Sequence, residues 1–347
     1  MVPDAKWNPQ QTRQPQPRFR YLAFLAIASF TFSTLTAYAA NCTTQGSLQP
    51  AVRESLLAAG NTLAGGIAAQ NFDLLQSSLL PAVTGDWDGI RSVAQAAKPL
   101  VQGGTLTWGD AYLLDASDLK APADTQFFCT NADSSVTMTI SLRSLPPGRY
   151  ALLIGDYIGA PLAGQIALIL GTTDAGPVGS WKLGGIFARE GALEGHDGIW
   201  YWTHARELAK KKDAWSAWYS YDLARTLLLP VDFLSSPHWE KLNREQTQNG
   251  SNPGEGLPLT IPGDGGKSWK ITALHVDITL HHADLALAYE ATGQSDPAAA
   301  RAEAIAVMSS LLKAHPELRE NFHGLWAYAE KDGRQSFAVE QAMHDIP

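Results

Sequence analysis

The chain has 347 residues, of which 45% are apolar, 17% charged and 9% aromatic, and its formal net charge is −8. That apolar content supports a sizeable core and, at ~150 residues per domain, about two domains, which excludes a disordered acidic chain. Lys210-Lys211-Lys212 is the sole basic run, so neither nucleic acid nor an anionic membrane surface is expected as a partner.

The amino terminus is read first. Lys6 to Arg20 is polar, basic and rich in Pro and Gln, Tyr21–Phe32 (YLAFLAIASFTF) is a compact apolar run, and Ala37-Tyr38-Ala39 follows with small residues. A basic region, an apolar region and an A-x-A site in that order predict a signal peptide over residues 1–39, cleaved near Ala39. The expected location is secreted or periplasmic. An uncleaved inner-membrane anchor is the alternative, because no charge falls between Arg20 and Arg53. Only in that case is a membrane a partner. Against it, a spanning helix needs ~20 strongly apolar residues, and Ser29, Thr31, Ser33, Thr34 and Thr36 dilute the run.

Export bears on Cys42 and Cys129, the two cysteines of the chain. In an oxidising compartment they can pair, closing a loop that stabilises by roughly 4 kcal/mol in the chain-entropy model. The other reading is one buried thiol and one loose one near the new amino terminus, and the sequence leaves both open. Neither sits beside a His or in a CxxC, so redox catalysis has no support.

From Pro50 to Gln102 apolar residues recur at three- to four-residue spacing, interrupted by Gly60, Pro81 and Gly85, which predicts two or three helices. After Gly103-Gly104 the pattern changes to short β-rich runs: Thr105–Asp115, Thr125–Thr130, Ser135–Leu142, Tyr150–Ile158, Gln165–Gly171 and Ser180–Arg189. Turn clusters such as Pro146-Pro147-Gly148 and Asp174-Ala175-Gly176-Pro177 separate them. Helices followed by an antiparallel meander make an α+β arrangement.

The last three runs read GRYALLIGDYIG, GQIALILGTT and GSWKLGGIFAR. The final one resembles the closing strand of nuclear transport factor 2-like domains, where a Trp-Lys-apolar segment ends the sheet after a turn. These are curved-sheet cones that include ketosteroid isomerases and polyketide cyclase-like proteins. Over residues 48–190 the resemblance implies helices packed on a curved antiparallel sheet, with a pocket for a small apolar ligand. It assigns no reaction, since members range from isomerases to pure binding modules. The isomerases' Asp base and Tyr donor have no counterpart motif: Asp156 and Tyr157 are adjacent and point to opposite faces of a strand.

Residues 194–248 form a second region. His196–Lys211 and Ala214–Leu229 read as a Trp-rich helical hairpin stopped by Pro230, and they resemble one tetratricopeptide-like hairpin. No second copy follows, so a solenoid is not expected. Residues 249–267 (NGSNPGEGLPLTIPGDGGK) read as a Gly/Pro linker. Residues 268–345 read as a small ββαββ domain, its helix opened by Asp296 as cap and Pro297 at the first helical position.

Three groups are candidates for chemistry. His275, Asp277, His281 and His282, with Asp284, are the densest polar cluster, and imidazole and carboxylate suit Zn²⁺ or a harder metal. Alternation alone also explains His275 and Asp277 as the solvent face of a half-buried strand. Trp200, Trp202, Trp215, Trp218 and Tyr221 are candidate ligand- or partner-binding aromatics; packing against the preceding domain is the reading favoured over binding, because large aromatics are mostly buried. His196-Asp197 reads as an acid/base pair or, with Asp capping the following helix, as no site at all. Gly263-Asp264-Gly265-Gly266-Lys267-Ser268 lacks the first glycine of a phosphate loop, and a strand rather than a helix follows.

No GxSxG, Ser-His-Asp order or catalytic Cys/His signature is present, and no cofactor is expected. The sequence therefore points to an exported non-catalytic binding or interaction module, using the cone pocket or the aromatic hairpin, with a protein partner or a small apolar ligand. The alternative is an enzyme acting in the cone pocket or at the His/Asp metal cluster.

Overall fold

The computed structural model describes residues 39–131, 136–172, 180–293 and 296–347. The expected signal peptide, residues 1–39, lies outside them except for Ala39, and so does the turn at 174–177. Among the described residues no helix is long and apolar enough to cross a membrane.

After strand β1 (Ala39–Thr44), Pro50 opens helix α1 (Pro50–Ala68), where its missing N–H leaves no bond unmade. Val52, Leu56, Leu63 and Ile67 recur at helical spacing and are buried. Helices α2 (Phe72–Ser77), α3 (Trp87–Ala96) and α4 (Lys98–Val101) follow. The β-rich part forms β2 (Thr105–Asp115), β3 (Ala123–Thr130), β4 (Thr137–Leu145), β5 (Arg149–Ile158), β6 (Gly164–Thr172) and β7 (Lys182–Glu190). A hairpin of β8 (Ala192–Leu193) and β9 (His196–Asp197) leads into α5 (Gly198–Lys210) and α6 (Ala214–Leu228), then β10 (Leu234–Ser235) and α7 (Pro237–Asn249). The remainder is β11 (Leu259–Pro262), β12 (Ser268–Asp277), β13 (Asp284–Glu290), α8 (Pro297–Ala314), α9 (Leu318–Asn321), β14 (Gly324–Lys331) and β15 (Arg334–Ala342).

The molecule is mixed α/β, with one strongly curled eight-stranded sheet, a half-barrel in the order β10-β4-β3-β1-β2-β5-β6-β7. The simple meander expected from the sequence is interrupted. β1 lies between β2 and β3, antiparallel to the first and parallel to the second. A disulfide joins Cys42 to Cys129, 87 residues away, and ties β1 to β3. The interior strand β5 is apolar on both faces because both are covered. Ala151 and Leu153 pack with Leu56, Ile67 and Leu75 of the helices. Leu152 and Ile154 pack with Phe127, Ile140 and Val231 on the other side.

A second sheet runs β11-β12-β13-β14-β15. Its pairs are antiparallel except β13 and β14, which are parallel, with α8 between them in the chain. Part of the expected linker is therefore strand. Leu257, Leu259 and Ile261 alternate among the prolines, and the edge position tolerates a residue without an N–H. Tyr201, Tyr219 and Tyr221 of the helical hairpin share one core with Trp269, Leu285, Tyr289, Val307 and Leu311. The aromatic hairpin thus packs on the second sheet and α8, and not on the preceding sheet as its place in the sequence implies.

Candidate metal centre

The hairpin after β7 turns through Glu194 (φ 53°) and Gly195 (φ 81°), flanked by the pair Leu193 and His196. Two consecutive positive-φ residues match the right-handed twist of the flanking strands, and a glutamate held there is strained by about 1 kcal/mol or more. The turn carries the Glu194 carboxylate to the loop between β12 and β13. That loop is closed by Asp277, whose carboxylate accepts from the Thr279 N–H at 2.7 Å, and by the His281 N–H donating to the Ile278 carbonyl at 2.9 Å.

Glu194 Oε1 lies 3.4 Å from His282 Nδ1 and accepts from the Ala283 N–H at 3.4 Å. His282 Nδ1 is buried with no hydrogen-bond partner. Its ring stacks on His323 with centroids 3.8 Å apart and planes 11° from parallel. His323 stands just before β14, held by its N–H to the Ala283 carbonyl at 2.9 Å. One donor atom each from Glu194, His282 and His323 falls within 4.8 Å of the others, and the same holds for Asp284, His323 and Glu340.

Asp284 is the most buried member, with a side chain 1% exposed, and its Oδ1 is 3.0 Å from His323 Nδ1. An ionised carboxylate only accepts, so His323 donates from Nδ1 and keeps its lone pair on Nε2. A carboxylate behind an imidazole is the usual outer partner of a metal-bound histidine, fixing tautomer and ring orientation. Glu194, His282 and His323 are a two-imidazole, one-carboxylate set of the residue types that bind Zn²⁺ and related ions, and the stacked rings must turn apart for both to face one ion.

Of the metal ligands expected from the sequence, His282 joins this cluster and Asp284 supports it. His281 turns instead to Glu190 at the end of β7, with its Nδ1 on the Glu190 carboxylate. Burial pushes the Glu190 pKa above its ordinary value, and the His281 contact opposes the rise. Asp277 closes its own loop, and His275, opposite Ala286 on β12, has its pKa lowered by desolvation, with Asp277 and Asp222 opposing. His275 and Asp277 belong to neither converging group among the described residues. Glu194, His323 and Glu340 were not foreseen; they are distant in the chain, and no spacing links them.

The aromatic candidates separate. Tyr221 is fully buried, while Trp215 and Trp218 pack against the shared core, Trp215 also stacking on His315 at 3.5 Å. Trp202 donates its Nε1–H to Glu245 at 2.7 Å, and Arg206 holds the same carboxylate through two nitrogens at 2.6 and 2.9 Å. Arg206, Ala209, Lys210, Glu245 and Asn249 line a groove of about 330 Å³ whose central charges are already paired. Trp200, 39% exposed, stacks on His196 and His204. Asp197 accepts from the Trp200 N–H at 2.7 Å and caps α5, so the His196-Asp197 pair is a helix start. The possible pairing of Cys42 with Cys129 is realised as the disulfide.

Comparison with known proteins finds no matching family model, no matching curated protein and no matching solved structure.

Proposed function

We propose that this chain is an exported protein that binds a divalent transition metal of the zinc class through Glu194, His282 and His323. The observation that carries the reading is the convergence within 4.8 Å of donors from three separate segments, one of them on a strained turn. His282 Nδ1 adds to it: it is buried, makes no hydrogen bond and has the Glu194 carboxylate 3.4 Å away, a separation a shared ion would bridge.

Export is supported by the order of basic, apolar and small residues in the first 39 positions and by the disulfide, which belongs to an oxidising compartment. The nuclear transport factor 2-like resemblance is supported by four helices before a curled sheet. The helix-facing side of that sheet is packed with Leu56, Ile67, Leu153, Ile166 and Leu168, which moves the binding role from a cone pocket to the metal centre. Contact with a protein partner is the second reading, favoured by the exposure of Ile199 (55%) beside Trp200.

Titration calorimetry of the purified full chain with Zn²⁺ tests the proposal. The expected result is a saturable site in the wild type that His282→Ala and His323→Ala weaken strongly. Equal binding by all three proteins would refute it.

A further inference from the structure

Strand β15 is an outer strand of the second sheet and pairs on one side only, with β14. Among the described residues no strand lies against its other side. A free strand edge is a row of unmade backbone hydrogen bonds, and proteins shield such edges with short strands, prolines or charge. The opposite edge of this sheet is shielded: β11 is four residues long, ends on Pro262 and follows Pro258. β15 is nine residues long and holds neither Pro nor Lys. Its one irregularity, where the register shifts opposite Ala329 and Glu330, leaves residues 337–342 in unbroken pairing. Met343 donates its N–H inward to the His323 carbonyl at 2.9 Å. Successive residues of a strand turn their backbone groups to opposite sides, so the N–H and C=O of Ala342, Glu340 and Ala338 face outward.

We infer that this edge pairs with β15 of a second copy of the chain, antiparallel about a two-fold axis at Ala338, so that one sheet runs through the dimer. The inference is independent of the metal reading. A two-fold contact requires a surface complementary to itself, and this strand has one. About that axis Phe337 lies opposite Val339, apolar against apolar on the face that packs on the core. Ala338 meets its own copy and exchanges both backbone bonds with it. Ser336 lies opposite Glu340, and Arg334 stands on the diagonal from Glu340 of the other copy, a separation that long side chains span. No like charges face each other, and the symmetry makes two Arg334–Glu340 contacts. Neither side chain forms an ion pair within its own chain among the described residues. The Glu340 carboxylate also lies within 4.8 Å of the Asp284 and His323 donors, so the incoming guanidinium meets a concentration of negative charge.

Analytical ultracentrifugation of the purified full chain over a wide concentration range tests the inference. The wild type is expected to pass from the mass of one chain to that of two as concentration rises. Ala338→Pro removes an outward N–H and no bond to β14, so it is expected to stay monomeric with an unchanged far-UV circular dichroism spectrum. Arg334→Glu and Glu340→Arg are each expected to raise the dimer dissociation constant at least about tenfold, because each sets like charges against one another across the axis. The double variant, which exchanges the two charges, is expected to restore the dimer. The charge series decides the matter by itself where Ala338→Pro fails to fold. A wild type that stays monomeric at every concentration would overturn the inference. So would a dimer that persists in folded Ala338→Pro, or a double variant that dimerises no better than the single ones.

Discussion

Replacing Cys42 and Cys129 together by alanine removes the covalent tie between β1 and β3 while leaving the strand pairing in place. The bond closes a loop spanning 87 residues, and the chain-entropy relation assigns such a loop about 4–5 kcal/mol. Domains of ordinary stability hold about 5–15 kcal/mol in all, so the double variant should lose roughly a quarter or more of the total. Urea unfolding followed by far-UV circular dichroism, without reductant, reads the difference directly. The midpoint should fall and the denaturant slope should rise, because the uncrosslinked chain exposes more surface when unfolded. A loss below about 1 kcal/mol with an unchanged slope would refute the reasoning, and β1 would then be held by its ladder and packing alone.

Two further outcomes follow from the helical region. Trp218→Ala empties a ring-sized volume against the shared core and should cost about 3 kcal/mol, whereas Trp200→Ala, at an exposed ring, should cost about 1 kcal/mol or less. Equal losses in urea unfolding would contradict this division of roles. The hydrogen bonds from Arg206 hold the Glu245 pKa below its ordinary value of 4.5. A depressed carboxylate stabilises the fold above its unfolded-state pKa and loses that contribution as pH falls through its folded-state pKa. Glu245→Gln should therefore cost about 1 kcal/mol at about pH 7, the partly exposed guanidinium limiting the effect, and almost nothing at about pH 2. An equal cost at both pH values would count against the ion pair as the cause.

The elements with local chemistry were readable. Asp296 caps α8 as its sequence implied, accepting from the Ala299 N–H with Pro297 at the first helical position. The strands from Thr105 to Glu190 follow their period-two runs and turn residues. What escaped was set by tertiary pairing. β1 (AANCTT) has no apolar alternation to announce it, and its partners lie far along the chain. The candidate cluster escaped for the same reason: Glu194, His282 and His323 come from three segments that only the fold brings together. His275 and Asp277 drew attention by sharing one strand face with the right residue types, but a face shared on one strand is not a convergent site. His282 was found by composition alone, and the sequence offered no way to know that His323 would stack on it.

Anomalous diffraction at the zinc edge, from crystals of the zinc-loaded chain, tests the central claim most directly. The account predicts one strong peak bounded by Glu194, His282 and His323, with Asp284 behind His323. A peak at other residues, or none above background at that cluster, would contradict it.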